Sequence, residues 1–128
     1  RGYNMLKEGQ INFDSLKNYE SPWIIGAFYP SIIHTKDFEV AIFDFKADTI
    51  TPVHKHMECI EINVIITGEC LVYNNGIKHK LKDGDIFSFP KGVYSKCHYL
   101  KDTKLLCIKT PSVPGDKHYK DKSEEDEG

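Results

Sequence analysis

The chain has 128 residues, 40% of them hydrophobic and 28% charged, with a formal net charge of −2. This length fits one domain, and the charge balance offers no basic footprint for nucleic acid. No apolar run approaches the roughly 20 residues that cross a bilayer, and no signal-peptide stretch follows the first residues. We therefore expect a globular, cytoplasmic protein with neither a nucleic-acid nor a membrane partner.

Residues 1–20 show no clean period and are expected to form an irregular arm. Met5 is a candidate natural start, with residues 1–4 as cloning remnants, unless the chain was cut from a longer protein. Short segments of β type then follow at regular spacing, without any helical period. They cover residues 23–28, 38–45, 60–67, 70–73, 77–81, 86–89, 97–100 and 104–109. This pattern predicts an all-β sandwich or barrel over residues 21–115.

Turn and tail signals complete the organisation. Asn74-Asn75-Gly76 predicts a tight hairpin, because Asn and Gly tolerate the positive φ that such turns require. Apolar content falls after Pro111, so we expect residues 116–128 to be a polar, acidic and largely disordered tail. The four cysteines include no C-x-x-C pair, which favours buried thiols in a reducing compartment.

His54-Lys55-His56 lies where a strand begins, so both imidazoles face the same way. The chain then turns and returns as segment 60–67, with Glu61 off its aliphatic face and across from the histidines. Two imidazoles and a carboxylate on converging strands form a facial triad with open positions, which suits iron, manganese, nickel or zinc. The alternative is a pair of surface histidines beside a solvated glutamate.

The spacing continues in a way that resembles the cupin family. His54-x-His56-x4-Glu61-x6-Gly68 is similar to the first cupin motif, and Gly84-x5-Pro90-x-Gly92 to the first half of the second. The family's leading glycine falls at Asp48, where this chain departs. The resemblance implies a double-stranded β-helix, a jelly-roll-like barrel of two antiparallel sheets. It also implies one divalent metal on His54, His56 and Glu61, and a homodimer, for which residues 11–28 are candidates.

The second motif is incomplete. The family's further histidine ligand falls at Ser95, a poor ligand for a transition metal. His98 lies three residues on, and strict alternation points it away from Ser95, Cys97 and Tyr99. His98 joins the site only through a bulge or a register shift, and otherwise it is an outer-face histidine.

Four further residues complete the candidate set. Tyr73 and Tyr99 are candidate catalytic phenols, although sheet tyrosines usually serve packing. His79 is a candidate for the barrel lining or an exposed edge. Glu58 is expected to be a surface residue.

Three functions remain open. The resemblance favours a metal-dependent enzyme acting on a small polar molecule such as a sugar or sugar nucleotide, by isomerase, epimerase, lyase or dioxygenase chemistry. A metal-free version would use a histidine as base and a tyrosine as acid. The incomplete ligand set favours a non-catalytic module that binds or senses a small ligand. A structural barrel in which the metal only stabilises the fold is the weakest of the hypotheses.

Overall fold

The computed structural model describes residues 9–120, which form a 3-10 turn at Leu16–Asn18 and eleven strands. The strands are β1 Trp23–Gly26, β2 Ile33–His34, β3 Glu39–Phe45, β4 His54–Lys55, β5 Ile60–Thr67, β6 Glu69–Asn74, β7 Ile77–Lys82, β8 Ile86–Phe89, β9 Lys96–Tyr99, β10 Thr103–Thr110 and β11 His118–Tyr119. The prediction of an all-β chain is confirmed. Residues 1–8 of the predicted arm and 121–128 of the predicted tail lie outside the described residues. The described part contains no helix long and apolar enough to span a membrane.

Two main sheets face each other. The larger has the order β2-β1-β3-β10-β5-β8, and the smaller has the order β7-β6-β9. A two-stranded ribbon, β11-β4, joins the smaller sheet through a bridge between His54 and Ser95. The ribbon therefore carries the His-x-His segment across one end of the barrel.

Strand β5 shows which face of the large sheet points inward. Asn63 and Ile65 are buried, and Glu61 is half-buried, whereas Ile60 and Ile66 are 42% and 46% exposed. Alternation thus turns the aliphatic row of β5 to the outside and its polar row to the barrel interior. A strand that points a glutamate and an asparagine inward favours a site in the interior, because buried polar groups need partners.

The apolar core fills the other end of the barrel. Its buried members are Ile65, Cys70, Val72, Cys97, Tyr99 and Leu105, with five partly buried apolar side chains packed against them. The rings of Phe43, Phe45 and Tyr99 stack, with centroids 4.9 and 4.1 Å apart. Core side chains from both sheets therefore meet the inward polar row of β5 in the interior of the barrel.

The predicted hairpin is confirmed. Strands β6 and β7 pair up to Asn74 and Ile77, and Asn75 and Gly76 have φ of 51° and 73°. Asp48 also has a positive φ, 68°. This is the position where the motif has glycine, and aspartate is among the few other residues that adopt the left-handed region readily. The departure at Asp48 therefore keeps the backbone shape of the motif.

The segment after β10 returns to the barrel instead of leaving it. Ser112 and Asp116 are buried, and β11 pairs with β4 through His118 with Lys55 and Tyr119 with His54. Residues 116–119, which the sequence analysis assigns to the polar tail, thus lie against β4, the strand that carries His54. We call residues 111–119 the C-terminal strap.

Candidate functional site

His54 is held by its own loop. Its Nδ1 lies 2.8 Å from the carbonyl oxygen of Pro52. Because a carbonyl only accepts hydrogen bonds, Nδ1 carries the proton and Nε2 presents a lone pair. Burial lowers the pKa of His54, and the positive charge of Lys117 acts in the same direction. His54 is therefore a neutral imidazole near pH 7, the state in which histidine binds a metal.

His56 is 4% exposed and is fixed by the C-terminal strap. Its Nδ1 donates a hydrogen bond to the backbone carbonyl oxygen of Asp116, so Nε2 again presents its lone pair. This Nε2 lies 2.9 Å from Oε1 of Glu61, but it has no hydrogen-bond partner of acceptable geometry among the described residues. The short distance and the missing bond agree if the two atoms are side by side rather than aligned.

Glu61 comes from the inward row of β5. Burial by itself would raise the pKa of this carboxyl, but the contact with His56, a hydrogen bond from Asn63 and the charge of Lys109 outweigh it and lower the pKa to about 2. Nδ2 of Asn63 donates to Oε2 at 2.9 Å, which leaves Oε1 facing His56. The carboxylate is therefore ionised at neutral pH.

The donor chemistry of this pair fits a cation. His56 Nε2 lies 2.9 Å from a charged carboxylate oxygen in a buried site, and a buried carboxylate needs a positive charge or hydrogen bonds beside it. Either a second proton on His56 or a shared metal ion supplies that charge. His54 lies alongside, its ring centroid 5.2 Å from that of His56. Two imidazole nitrogens and a carboxylate oxygen are ligands of divalent transition metals.

A second cluster touches the first through His56. Among the described residues, the donor atoms of His56, Cys59 and Asp116 all lie within 4.8 Å of one another. The carboxylate of Asp116 accepts backbone N–H groups of Met57, Glu58 and Cys59 at 3.1, 2.8 and 3.1 Å. These oxygens are already saturated.

The thiol of this second cluster is protonated near neutral pH when no metal is bound. Burial, followed by the neighbouring Asp116, raises the pKa of Cys59 to about 12. We interpret the cluster as a clamp that holds the turn after His56.

A cavity of about 160 Å³ lies inside the barrel next to these groups. We call it the inner cavity. Its polar and titratable walls are Thr51, His54, Glu61, Asn63, Ser95, Cys97, Tyr99, Lys109, Lys117 and Tyr119, and aromatic rings and aliphatic side chains form the rest. His54 and Glu61 both face this space, so a bound molecule would meet the candidate ligands directly.

The other candidate residues that the sequence suggests lie on opposite faces of the small sheet. Ser95, Cys97 and Tyr99 line the inner cavity, as alternation predicts. His98 pairs with Leu71 on the opposite face of β9, and its Nε2 lies 3.4 Å from Oδ1 of Asp48. The structure therefore places Glu61 against His56 and the ring of His54 beside that of His56, whereas His98 lies on the opposite face of β9.

The phenol candidates separate in the same way. Tyr73 pairs with Lys96 on the outer face, where both Lys78 and Lys96 approach its ring. Tyr99 is 3% exposed, and burial and nearby thiols raise its pKa. His79 and Glu58 are exposed.

Sequence reasoning missed Asp116, Lys109 and Lys117. Asp116 follows a Pro-x-x-Pro-Gly segment far from the motif, and nothing local shows that it reaches back 60 residues to His56. Lys109 ends a strand whose alternation does place it inward, opposite Glu61. Only that alternation predicts an inward side chain for Lys109, because a lysine near the end of a strand is normally exposed.

The comparisons with known proteins decide the family. The family model described as "Cupin domain" matches residues 41–109, more than half of the chain. This chain is a cupin. No curated protein sequence matches it.

Solved structures share the cupin fold at low identity. KdgF from Halomonas sp. is 23% identical with a TM-score of 0.60, covering 63% of this cupin and 74% of that chain. An uncharacterized Klebsiella pneumoniae protein with a double-stranded β-helix domain is 22% identical with a TM-score of 0.61, covering 70% and 81%. A Streptomyces PAC13 variant with uridine is 9% identical with a TM-score of 0.60, covering 66% and 69%. At these identities the likeness concerns the fold alone.

Proposed function

We propose that this cupin binds one divalent metal ion through His54, His56 and Glu61 and acts on a small polar molecule in the inner cavity. The observation that carries the proposal is the buried contact between His56 Nε2 and Glu61 Oε1, 2.9 Å apart, in which Nε2 has no well-aligned hydrogen bond among the described residues. Both histidines also have Nδ1 bound to a backbone carbonyl. Such outer bonds fix the tautomer in which Nε2 binds a metal.

The chain supplies three ligands, so coordination positions are left open toward the cavity. Ser95, 4% exposed, occupies the place of the family's further histidine, and its hydroxyl is a neutral hydrogen-bonding group in the wall. Open positions are typical of catalytic rather than structural sites. A metal bound there would supply Lewis-acid polarisation of a substrate oxygen. The cavity walls would orient that oxygen, and the core aromatic rings below would keep bulk water out.

The substrate is proposed to be a sugar or sugar nucleotide, by analogy with the family. The neighbours named above include a protein whose structure holds uridine, which agrees with this class. The alternative is a module that binds the same ligand without turnover. The residues of the cavity wall distinguish an enzyme from a binding module, because catalysis needs a group that moves a proton. His54 could be that group only without a metal, because its Nε2 is a ligand in the proposed metal site. The preference for the enzyme therefore rests on the open coordination positions.

The metal-free version of the enzyme is less well supported. It requires a tyrosine acid near the histidine base. Tyr99 does line the inner cavity, but burial raises its pKa, and its ring is committed to the stack with Phe45. Tyr73 lies on the outer face of β6. Neither phenol is well placed as the acid.

Elemental analysis of the purified protein tests the metal. We expect close to one equivalent of a transition metal, and less than about a tenth of an equivalent in His56→Ala and Glu61→Gln, because losing a ligand weakens binding by orders of magnitude. His79→Ala is the matched control, since this histidine is exposed on β7. His98→Ala separates a three-ligand site, which keeps its metal, from a four-ligand one. A metal-free wild type, or equal metal in all variants, would contradict the proposal.

The homodimer and the cytoplasmic setting stay predictions. Ile11 and Phe13, in the segment that the sequence singles out for dimerisation, are 87% and 76% exposed. Apolar side chains this exposed favour contact with a second copy. The mass in solution, compared between the wild type and an Ile11→Lys, Phe13→Lys double variant, tests the dimer. A monomeric wild type would exclude it.

A further inference from the structure

A second and larger cleft opens beside the inner cavity. Its volume is about 890 Å³, and we call it the outer cleft. Aromatic and polar side chains from the arm, from β1 and from the C-terminal strap line it: Asn18, Tyr19, Glu20, Ser21, Trp23, Phe28, Tyr29, Pro30, Glu39, Lys109, Pro114, Gly115, Asp116, Lys117 and Tyr119. A cleft of this size, walled by rings, fits a small organic ligand.

The two spaces share four residues, namely Trp23, Lys109, Lys117 and Tyr119. We call this shared boundary the neck. The ring of Tyr119 lies 6.0 Å from that of His54, so the neck adjoins the candidate metal ligands. A molecule that extends from the outer cleft into the inner cavity would therefore contact these shared residues.

The volumes of the inner cavity and the outer cleft limit which part of a ligand each can hold. The inner cavity of about 160 Å³ equals the volume of about five water molecules. A cavity of about 150 Å³ can hold a benzene molecule, so the inner cavity accepts about one ring but not a whole sugar derivative such as a sugar phosphate. The body of any larger ligand must therefore remain in the outer cleft, and the neck must hold the atoms that join the two parts.

The charges at the neck favour an anion. Nζ of Lys109 lies 4.7 Å from the centre of the Trp23 ring and 4.0 Å from Oε1 of Glu39, at the limit of an ion pair. The other oxygen of Glu39 accepts a hydrogen bond from Ser112 at 2.8 Å. Lys109 is 8% exposed, so it is a desolvated cation with a weakly placed counter-ion.

Lys117 adds a second positive charge. It has no carboxylate within ion-pair distance among residues 9–120, while its neighbour Asp116 is occupied by three backbone N–H groups. Glu20 in the outer cleft and Glu61 in the inner cavity are the remaining acids of the walls. Glu61 lies opposite Lys109 and Glu39 pairs with it, so Lys109 is balanced by two carboxylates and Lys117 is the unmatched cation of the neck.

We infer that the neck is an anion subsite. It would bind the phosphate or carboxylate of a ring compound between Lys109 and Lys117, with the ring against Trp23 and Tyr119 and a polar end reaching His54. This inference rests on the proposed function for the polar end, and it narrows the substrate to a charged sugar-type molecule. Two lysines suit either anion, since ammonium groups act as point charges on both.

Trp23 reports on the neck directly, because it is the chain's only tryptophan. We would titrate the protein with glucose phosphate, glucuronate and neutral glucose and follow the fluorescence of Trp23. The anions should change the emission saturably and glucose should not. The change should weaken as salt is raised, because exposed charge pairs are screened.

Lysine variants test the residue assignment. Lys117→Gln should raise the dissociation constant of the anions about tenfold, the value of one charge-assisted contact. Lys117 is exposed, so this variant should fold even if a change at the buried Lys109 does not. Lys101→Gln, at an exposed turn away from both cavities, should bind like the wild type.

Each outcome has one meaning. Binding of phosphate alone, or of carboxylate alone, supports the subsite and names the anion. Equal binding of glucose, no response to either anion, or unchanged binding in Lys117→Gln overturns it. Repeating the titration after chelation and in Glu61→Gln separates the two proposals. Anion binding that survives there supports the neck even if no metal is found.

Discussion

His56 and Asp116 are 60 residues apart in sequence and joined by a hydrogen bond from the imidazole Nδ1 to the backbone carbonyl oxygen. The side chain of the same aspartate caps three backbone N–H groups of the turn that follows His56. One residue of the strap therefore sets both the tautomer of a candidate ligand and the shape of the loop that carries it.

Replacing Asp116 with alanine should destabilise the fold and loosen the site. The variant leaves buried N–H groups of the turn without an acceptor, and each bond to a charged group contributes about 1.5–3 kcal/mol. We expect a loss of about 3 kcal/mol in urea unfolding, and metal affinity lowered about 10- to 100-fold, as for other outer-shell positions. Asp37→Ala, at an exposed position, is the control. Equal stability of the two variants would show that the clamp contributes nothing.

Asp48→Gly should stabilise the protein. Asp48 has φ of 68°, a conformation that costs an L-residue up to about 1–2 kcal/mol and costs glycine little. Its side chain is 86% exposed and its contact with His98 is 3.4 Å, so little is lost. A gain of about 0.5 kcal/mol in unfolding free energy is expected. Asp44→Gly, inside β3 with ordinary strand geometry, should lose stability instead. The same sign for both would contradict this account.

Gly68→Ala should be strongly destabilising. Gly68 has φ of 124°, and a Cβ built there would lie 2.6 Å from the Cα of Thr103. Backbone cannot withdraw as a flexible side chain can, so we expect a cost of about 3 kcal/mol or more from strain and clash. Gly76→Ala, with a positive φ but no atom within 4 Å of its Cβ, isolates the conformational part. Thermal unfolding of both variants measures the difference, and similar melting temperatures would refute the steric argument.

Cys70 should make the stability depend on alkaline pH. Burial raises the pKa of this thiol from 9.0 to about 11, with Asp85 and Glu69 acting in the same direction. Between these pH values the unfolded thiol ionises and the folded one does not, so the contribution of Cys70 is full below pH 9.0 and falls as the pH rises. The difference in unfolding free energy between the wild type and Cys70→Ala should therefore shrink over this window. A constant difference would exclude the linkage.

Most strands could be predicted because their alternation and turn residues are local. Segments 60–67 and 86–89 match β5 and β8 to the residue. The hairpin at Asn75-Gly76 was equally predictable, because Asn and Gly are residue types that adopt a positive φ readily. The short strands β2 and β11 carry no such pattern, since two residues cannot show a period, and β4 was predicted from the His-x-His motif.

The candidate site could likewise be predicted only in part. His54, His56 and Glu61 were found from spacing on one hairpin, and alternation put Ser95 and Tyr99 on the cavity side. The partners of these residues were out of reach, because the contact of His56 with Asp116 depends on how the strap returns. The role of Lys109 required knowing that Trp23 covers it.

The return of the strap bears on where this protein can be divided. The region that matches the family ends at residue 109, seven residues before the carbonyl that orients His56. A fragment trimmed to residues 41–109 would keep all three proposed ligands but would lose β1 and β2 from the edge of the large sheet, and Trp23 with them. It would lose the group that chooses which nitrogen of His56 is protonated, and with it one side of the neck. The smallest unit that can be expected to act is therefore longer than the smallest unit that resembles a cupin.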